Sequence, residues 1–308
     1  MASPSPSMTM APSIHSWFAI LLVGGCSRTE AKLLPKVVEI APAPSAVAVP
    51  SEPPKSLNVL GEFQTLYEFK GEKYEGRAKN VEHGATKLNG TEIAPGETFS
   101  FNKTLGPRTL ENGFSQAPEI FFGEMVLGVG GGTCQVSSTL FAAAVLADLD
   151  VVERRNHSRP LRYIKPGMDA TVAFPDEATC EKDPNLCSDL KLRNPYSFPV
   201  RISSETWLDG EKRRIVFHIL GDGPPPTVKV RWSFYQTSPF RQRFRKTNKF
   251  LGKWKKRVQS GSEGMEGSLL IEGGRDPRRL PSRYAPVDEI WEVGLGWDMS
   301  VVPWSTEP

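Results

Sequence analysis

A chain of 308 residues has room for one large domain or two modest ones, at roughly 100–200 residues per domain. Its 39% hydrophobic and 24% charged residues exclude a disordered chain and a multi-span membrane protein, and no nucleic-acid partner is expected. The net charge of +3 is unevenly placed: residues 223–308 hold 15 Lys/Arg against 9 Asp/Glu, a balance of +6, which leaves −3 for the rest.

At the N-terminus, Trp17 to Val23 is an apolar run too short to span a bilayer, followed by Gly24-Gly25-Cys26. Val23-Gly24-Gly25-Cys26 resembles a bacterial lipobox, which makes residues 1–25 a signal peptide and Cys26 a lipidated first residue of the mature protein. The expected location is therefore the bacterial cell envelope, as an exported lipoprotein anchored in the membrane through its lipid. No Lys or Arg precedes the apolar run, so a start at Met8 or Met10, a plain secretory signal and an uncleaved segment stay open. Residues 26–58 form a linker, whose stretch 35–55 is rich in Pro, Ala and Val and suits an extended tether.

A folded body is expected over residues 59–222. Phe63 to Tyr67 alternates like a strand, Pro95-Gly96 supplies a turn, Thr98 to Phe101 reads as a second strand, and Gly106-Pro107-Arg108 is a further turn. An apolar, glycine-punctuated segment from Glu119 runs into Gly130-Gly131-Gly132. From Val136 to Leu149 apolar residues then recur at three- and four-residue spacing among many alanines, which predicts a largely buried helix. Short strands follow at 151–154, 161–164, 170–174, 190–192 and 198–202. The pattern predicts an α+β fold: one buried helix after a Gly-rich loop, packed on an antiparallel sheet. Beyond the proline run Pro224 to Pro226, residues 223–308 are expected to form a smaller strand-rich region. Within it, Arg241 to Arg257 carries nine basic residues and no acid, which suits either an anionic surface or a solvated face.

Thr133 is a good N-cap residue that would place Cys134 in the first helical turn, where orphan amides and the helix dipole favour a thiolate. His157 and Asp169 follow in the strand-rich part. A cysteine at a helix start, then His and Asp on successive strands, is the order of transglutaminase-like thiol enzymes: nucleophile, acid/base and orienting carboxylate. The alternatives are a small buried Cys134, a loop His157 and a turn Asp169, or a redox-sensing thiol. Cys180 and Cys187 are close enough in sequence to close a small disulfide loop in an oxidising compartment, leaving Cys134 free. No metal site is indicated, since no His stands near that pair, and the glycine run lacks the Lys-Ser/Thr of a phosphate loop, so no cofactor is expected.

The run Gly130-Gly131-Gly132-Thr133-Cys134-Gln135-Val136-Ser137-Ser138-Thr139-Leu140 resembles the signature of the VanW family. The likeness extends through Pro95 to Asn102, Gly106 to Arg108, Gly113-Phe114, Ala117-Pro118, Glu153-Arg154, His157-Ser158, Tyr163, Gly167, Asp169 to Val172 and Asp189 to Lys191. It covers about half the chain; the insertion Thr179 to Ser188, with its two cysteines, departs from it. The resemblance implies a cell-wall protein and specifies no reaction. The expectation is a domain that acts on or recognises peptidoglycan peptides, by Cys-dependent acyl transfer or amide hydrolysis. The catalytic candidates are Cys134, His157 and Asp169, and the binding candidates are Arg108, Gly131, Gly132, Thr133, Gln135 and Ser137. The rival expectation is a non-catalytic binding or scaffold lipoprotein whose glycine-rich helix start captures a carboxylate through its amides.

Overall fold

The computed structural model describes residues 56–298, apart from 122–123, 175, 184–185, 247–250 and 252–253. The leader, Cys26 and all but the end of the linker lie outside the described residues, as does part of the basic stretch. The first half of the chain runs β1 (Asn58–Tyr67), α1 (Glu72–Leu88), β2 (Glu92–Ile93), β3 (Thr98–Ser100), α2 (Phe101–Leu105), β4 (Gln116–Phe121), β5 (Glu124–Val129) and α3 (Thr133–Leu146). There follow β6 (Asp150–Glu153), α4 (Glu177–Lys182), β7 (Lys191–Arg193), β8 (Val200–Asp209) and β9 (Lys212–Gly221). The C-terminal part holds β10 (Val228–Ser238), β11 (Gln242–Lys246), β12 (Lys255–Gln259), β13 (Gly264–Gly273), β14 (Arg278–Tyr284) and β15 (Glu289–Val293).

The organising layer is an antiparallel sheet of order β1-β9-β8-β2. Gly61, Phe63 and Thr65 of β1 stand opposite Ile219, Phe217 and Ile215 of β9, so one face is continuous and carries the helices. The other face presents Glu62, Gln64, Ser203 and Glu205. Helix α3 lies against β1 and β9 so closely that a Cβ on Gly61 would come within 2.3 Å of the Ala147 amide nitrogen. Alanines at 142–144 permit that approach, and most of α3 is buried on all sides, as its lack of a polar stripe implies. Helix α1 packs against β8 and α3, with Ser204 Oγ donating to the Ala85 carbonyl at 2.8 Å.

The structure is thus mixed α/β with mostly antiparallel sheets and few helices. Several expectations need correction. Helix α1 has no counterpart in the sequence reading, and Phe101 opens α2 where a strand end was expected. The stretch 161–164 forms no strand, and 170–174 makes only isolated bridges, Thr171 to Arg155 and Ala173 to Ser188. Cys180 and Cys187 are joined by a disulfide, and the link ties α4 to the segment after it.

The proline run at 224–226 does not separate two cores. Leu269 and Ile271 of β13 belong to the same buried cluster as Leu140 and Phe141 of α3. The sheet β10-β13-β14 is clamped to the first half through Asp148, which ends α3 with φ 55° and is buried beneath Arg275 and Arg278. A second C-terminal sheet, β11-β15-β12, contains the parallel pair β11–β15, and there Arg243 pairs with Asp288 and Arg257 with Glu289. Part of the acid-free basic stretch is therefore neutralised by acids that follow it in the chain.

Candidate active site

The site is built from the motif at the start of α3. Gly130 and Gly132 have φ of 96° and 111°, a conformation side-chain-bearing residues avoid, and a Cβ on Gly131 would sit 2.6 Å from the Pro118 carbonyl oxygen. Gly132, not Thr133, holds the N-cap position, and no side chain caps the helix. Of the first-turn amides, Thr133 donates to the Gly130 carbonyl at 3.1 Å and Gln135 to the Gly132 carbonyl at 2.9 Å, which leaves the Cys134 amide without a backbone or capping acceptor among the described residues, at the positive end of the dipole.

The polar residues after Cys134 fix its surroundings. Gln135 donates to Thr65 Oγ1 and the Leu66 carbonyl, both at 2.9 Å, and accepts from Arg77 at 2.6 Å, so it ties α3 to β1 and α1. Ser137 Oγ donates to the Ala170 carbonyl at 2.7 Å, and the Ala170 amide donates back to Ser138 Oγ at 3.1 Å. Those bonds pin residue 170 to the first turn of α3, which sets Asp169 on one side and Thr171-Val172 beside the thiol. The Cys134 sulfur lies 3.4 Å from the Val172 carbonyl oxygen and 3.6 Å from Thr171 Oγ1. Tyr163 donates its hydroxyl to the Cys134 carbonyl at 3.3 Å.

The structure brings Cys134, His157 and Asp169 together. His157 and Asp169 lie in irregular segments held by side-chain hydrogen bonds, whereas strands were expected there. Asp169 Oδ2 accepts from the His157 backbone amide and lies against His157 Nδ1, both at 2.7 Å. An ionised carboxylate only accepts, so Nδ1 carries the hydrogen, which leaves Nε2 free for a second partner, and the ring acts electrostatically on the Cys134 thiol. Asp169 Oδ1 accepts from Tyr284 at 2.5 Å and from Arg154 at 3.2 Å. Burial alone would raise the Asp169 carboxyl; hydrogen bonds and charge from His157, with Arg154, bring it below its usual range.

The thiol and imidazole are shifted toward each other. Burial pushes the Cys134 thiol up, but the hydrogen bond and charge of His157, with those at Val172 and Thr171, outweigh it and lower the thiol to about 7. For His157, burial favours the neutral ring, yet bonds to Asp169 and Cys134 raise it to about 9. Between those values the coupled pair is thiolate and imidazolium. Cys134 as a residue is half-buried. Arg108 completes the surroundings: burial lowers it to about 10, against the opposing charges of Cys134 and Asp189.

Of the binding candidates, Gln135 and Ser137 use their side chains on internal bonds, Gly131 and Gly132 set the loop, and Thr133 is buried. Of these candidates Arg108 alone keeps side-chain donors to offer, and the charge of Cys134 acts on it. Sequence reasoning missed Tyr284, which lies 115 residues from Asp169 with no local signal, and gave no role to Arg154, which stood inside the family likeness. Among the described residues no group of His, Cys, Asp and Glu side chains could hold a metal ion.

Residues 76–219 match the family model described as VanW like protein. The chain is 36% identical over 152 residues to the uncharacterized protein YoaR of Bacillus subtilis (strain 168), covering 49% of this chain and 46% of that protein. It is 26% identical over 159 residues to the vancomycin B-type resistance protein VanW of Enterococcus faecalis (strain ATCC 700802 / V583), covering 50% of this chain and 52% of that one. The chain thus spans about half the length of the curated relatives it matches. Residues 76–219, which carry Cys134, His157 and Asp169, are similar to the VanW family.

Proposed function

We propose that this protein is a cell-envelope thiol enzyme that cleaves or transfers acyl groups of peptidoglycan peptides. The observation that carries the reading is the grouping of Cys134, His157 and Asp169, with the imidazole held 2.7 Å from a buried carboxylate and coupled in charge to a helix-start thiol. The order of nucleophile, base and orienting acid along the chain supports a transglutaminase-like arrangement, as a topological analogy. The vancomycin-resistance name of the Enterococcus relative supports the envelope as its setting. Val23-Gly24-Gly25-Cys26 supports a lipid anchor on Cys26.

In this reading the Cys134 thiolate attacks an amide carbonyl, forming a carbon–sulfur bond and placing the electron pair on oxygen. The Cys134 amide, at the start of α3, donates to that oxygen. The carbon–nitrogen bond then breaks as the His157 imidazolium gives its proton to the leaving amine, leaving a thioester on Cys134. Neutral His157 next takes a proton from the acceptor, water for hydrolysis or an amine for transfer. The acceptor displaces the thiolate, and the imidazolium–thiolate pair returns. Asp169 holds the ring and stabilises its charged form throughout.

The test is incubation of the full chain with purified peptidoglycan peptides, read by mass spectrometry for released amine and for an acyl adduct on Cys134. Turnover that disappears in Cys134→Ala supports the reading. Retention of peptides with no product and no adduct would replace it with the non-catalytic binding lipoprotein, and turnover surviving in Cys134→Ala would remove the thiol from the chemistry.

A further inference from the structure

Arg108 is held as few surface arginines are. Its stem lies against Gly130, where a Cβ would come within 2.8 Å of it, and its guanidinium faces the rings of Phe101 and Phe174 at 5.6 and 6.0 Å. One terminal nitrogen donates to the Gly106 carbonyl at 2.9 Å and the other to Asn102 Oδ1 at 2.6 Å. Asn102 in turn donates to the Ser188 carbonyl at 2.9 Å and, more weakly, at 3.4 Å to the carbonyl of Ala173, next to the Val172 that receives the Cys134 thiol. The side chain is thus immobilised before any ligand arrives, and its position is tied to the segment that flanks the thiol.

This fixed cation has no carboxylate at ion-pair distance among the described residues. Asp189 is its nearest acidic influence, but that carboxylate accepts from Ser100 Oγ and from the amides of Asn102 and Leu190. A guanidinium has five N–H donors, and two are accounted for. Removal from water without a counter-charge is unfavourable, which is why burial lowers the group to about 10. Through Asn102 the guanidinium is tied to Ala173, whose neighbour Val172 has its carbonyl oxygen 3.4 Å from the Cys134 sulfur, and the charge of Cys134 acts on it as well.

We propose that Arg108 and Cys134 form a subsite for an acyl substrate that carries a free carboxylate close to the carbonyl under attack. The carboxylate pairs with the remaining donors of Arg108, and that pairing sets the carbonyl over the sulfur. This rests on the thiol-enzyme reading for its chemistry, but the recognition it describes exists whether or not turnover follows. Peptides whose scissile amide adjoins a free carboxylate are accepted, and the same peptides with that carboxylate amidated are poor substrates.

Two alkylating reagents test the recognition without turnover. Iodoacetate carries the carboxylate and iodoacetamide its neutral counterpart, and both react with the same thiolate. Their rate ratio at Cys134 therefore cancels any change in the thiol's ionisation. Arg108→Gln should lower the iodoacetate-to-iodoacetamide ratio roughly tenfold, the scale of one charge-assisted hydrogen-bonded pair, and Arg108→Lys should restore part of it. An unchanged ratio in Arg108→Gln overturns the proposal. Should that variant fail to fold, the wild-type chain still decides: N-acetylglycine should slow iodoacetamide alkylation where N-acetylglycinamide does not, and equal or absent protection by the two overturns it. A carboxylate-dependent ratio in a chain that turns over no peptide would keep the subsite and discard the enzyme.

Discussion

Replacing His157 with Gln leaves the Cys134 thiol with burial and two weak hydrogen bonds, and burial pushes its pKa up from the ordinary 9.0. In the wild type the thiol stands at about 7, so at pH 7 half is thiolate. With a pKa of 9.0 or above, 1% or less would be. Nucleophilicity rises with basicity, by roughly eightfold over two units at a Brønsted slope of 0.4–0.5, so the expected loss in alkylation rate at pH 7 is about sixfold rather than fiftyfold. The same argument reverses the order at high pH, where both thiols are ionised and the more basic one reacts faster. The assay is the iodoacetamide rate at Cys134 between pH 5 and 11, followed by peptide mass spectrometry. Crossing profiles, with the wild-type midpoint near 7 and the variant midpoint above 9, are expected. Parallel profiles with one midpoint would show that His157 does not set the thiol's ionisation, and the mechanism would lose its base.

Tyr284→Phe removes the donor to Asp169 Oδ1 and leaves the Gly167 amide, 2.7 Å from the hydroxyl, without its acceptor; a loss of about 1–3 kcal/mol in urea unfolding is expected, with a changed alkylation profile at Cys134. Asp169→Asn strands the buried Arg154 guanidinium without its counter-charge, and about 3–5 kcal/mol should be lost in the same assay. Its pH dependence has a definite sign: the Asp169 carboxyl is depressed in the folded state, so its contribution is complete above the ordinary carboxyl value of 3.8 and fades as pH falls through the lowered one. Gly61→Ala forces a methyl into the backbone of α3 at Ala143 and Ala147, and a thermal-melt loss equivalent to roughly 1–3 kcal/mol should follow, with no neighbouring side chain able to give way.

The start of α3 was legible because its signals are local: glycines that need positive φ, then alanines and apolar residues at helical spacing. Helix α1 was not, and two of its residues show why. Gly76 and Gly84 break the helical pattern in sequence, yet a Cβ at Gly76 would meet the Gln116 carbonyl oxygen at 2.0 Å and one at Gly84 would touch Val136 at 3.3 Å. Those glycines serve close packing of α1 on β4 and α3, information held in residues far along the chain. The expected strand at 161–164 failed for a related reason. The segment from Arg154 to Asp169 is fixed by long-range bonds such as Arg154 to Ser282 and Asn156 to the Arg283 carbonyl, and these override a short alternating pattern.

The boundary of the family match also falls short of the site. The match ends at residue 219, but Asp169 is completed by Tyr284, and the loop carrying His157 is fixed by β14 and the residue after it, the Arg283 carbonyl accepting from Asn156 and the Ala285 amide donating to the Ser158 carbonyl at 2.8 Å. A carboxylate that orients an imidazole must itself be held, because a free Asp169 could rotate and release Nδ1. Arg154 alone offers one longer bond to Oδ1 at 3.2 Å, whereas Tyr284 offers a shorter one from a side chain only 1% exposed. The arginine reaches across as well, donating to Ser282 Oγ at 2.7 Å and to the Pro281 carbonyl, so both holders of the carboxylate depend on the same C-terminal strand. Geometry at Cys134 therefore follows from a sheet outside the matched domain, and a fragment cut at the domain boundary would carry the three site residues without the scaffold that aligns them.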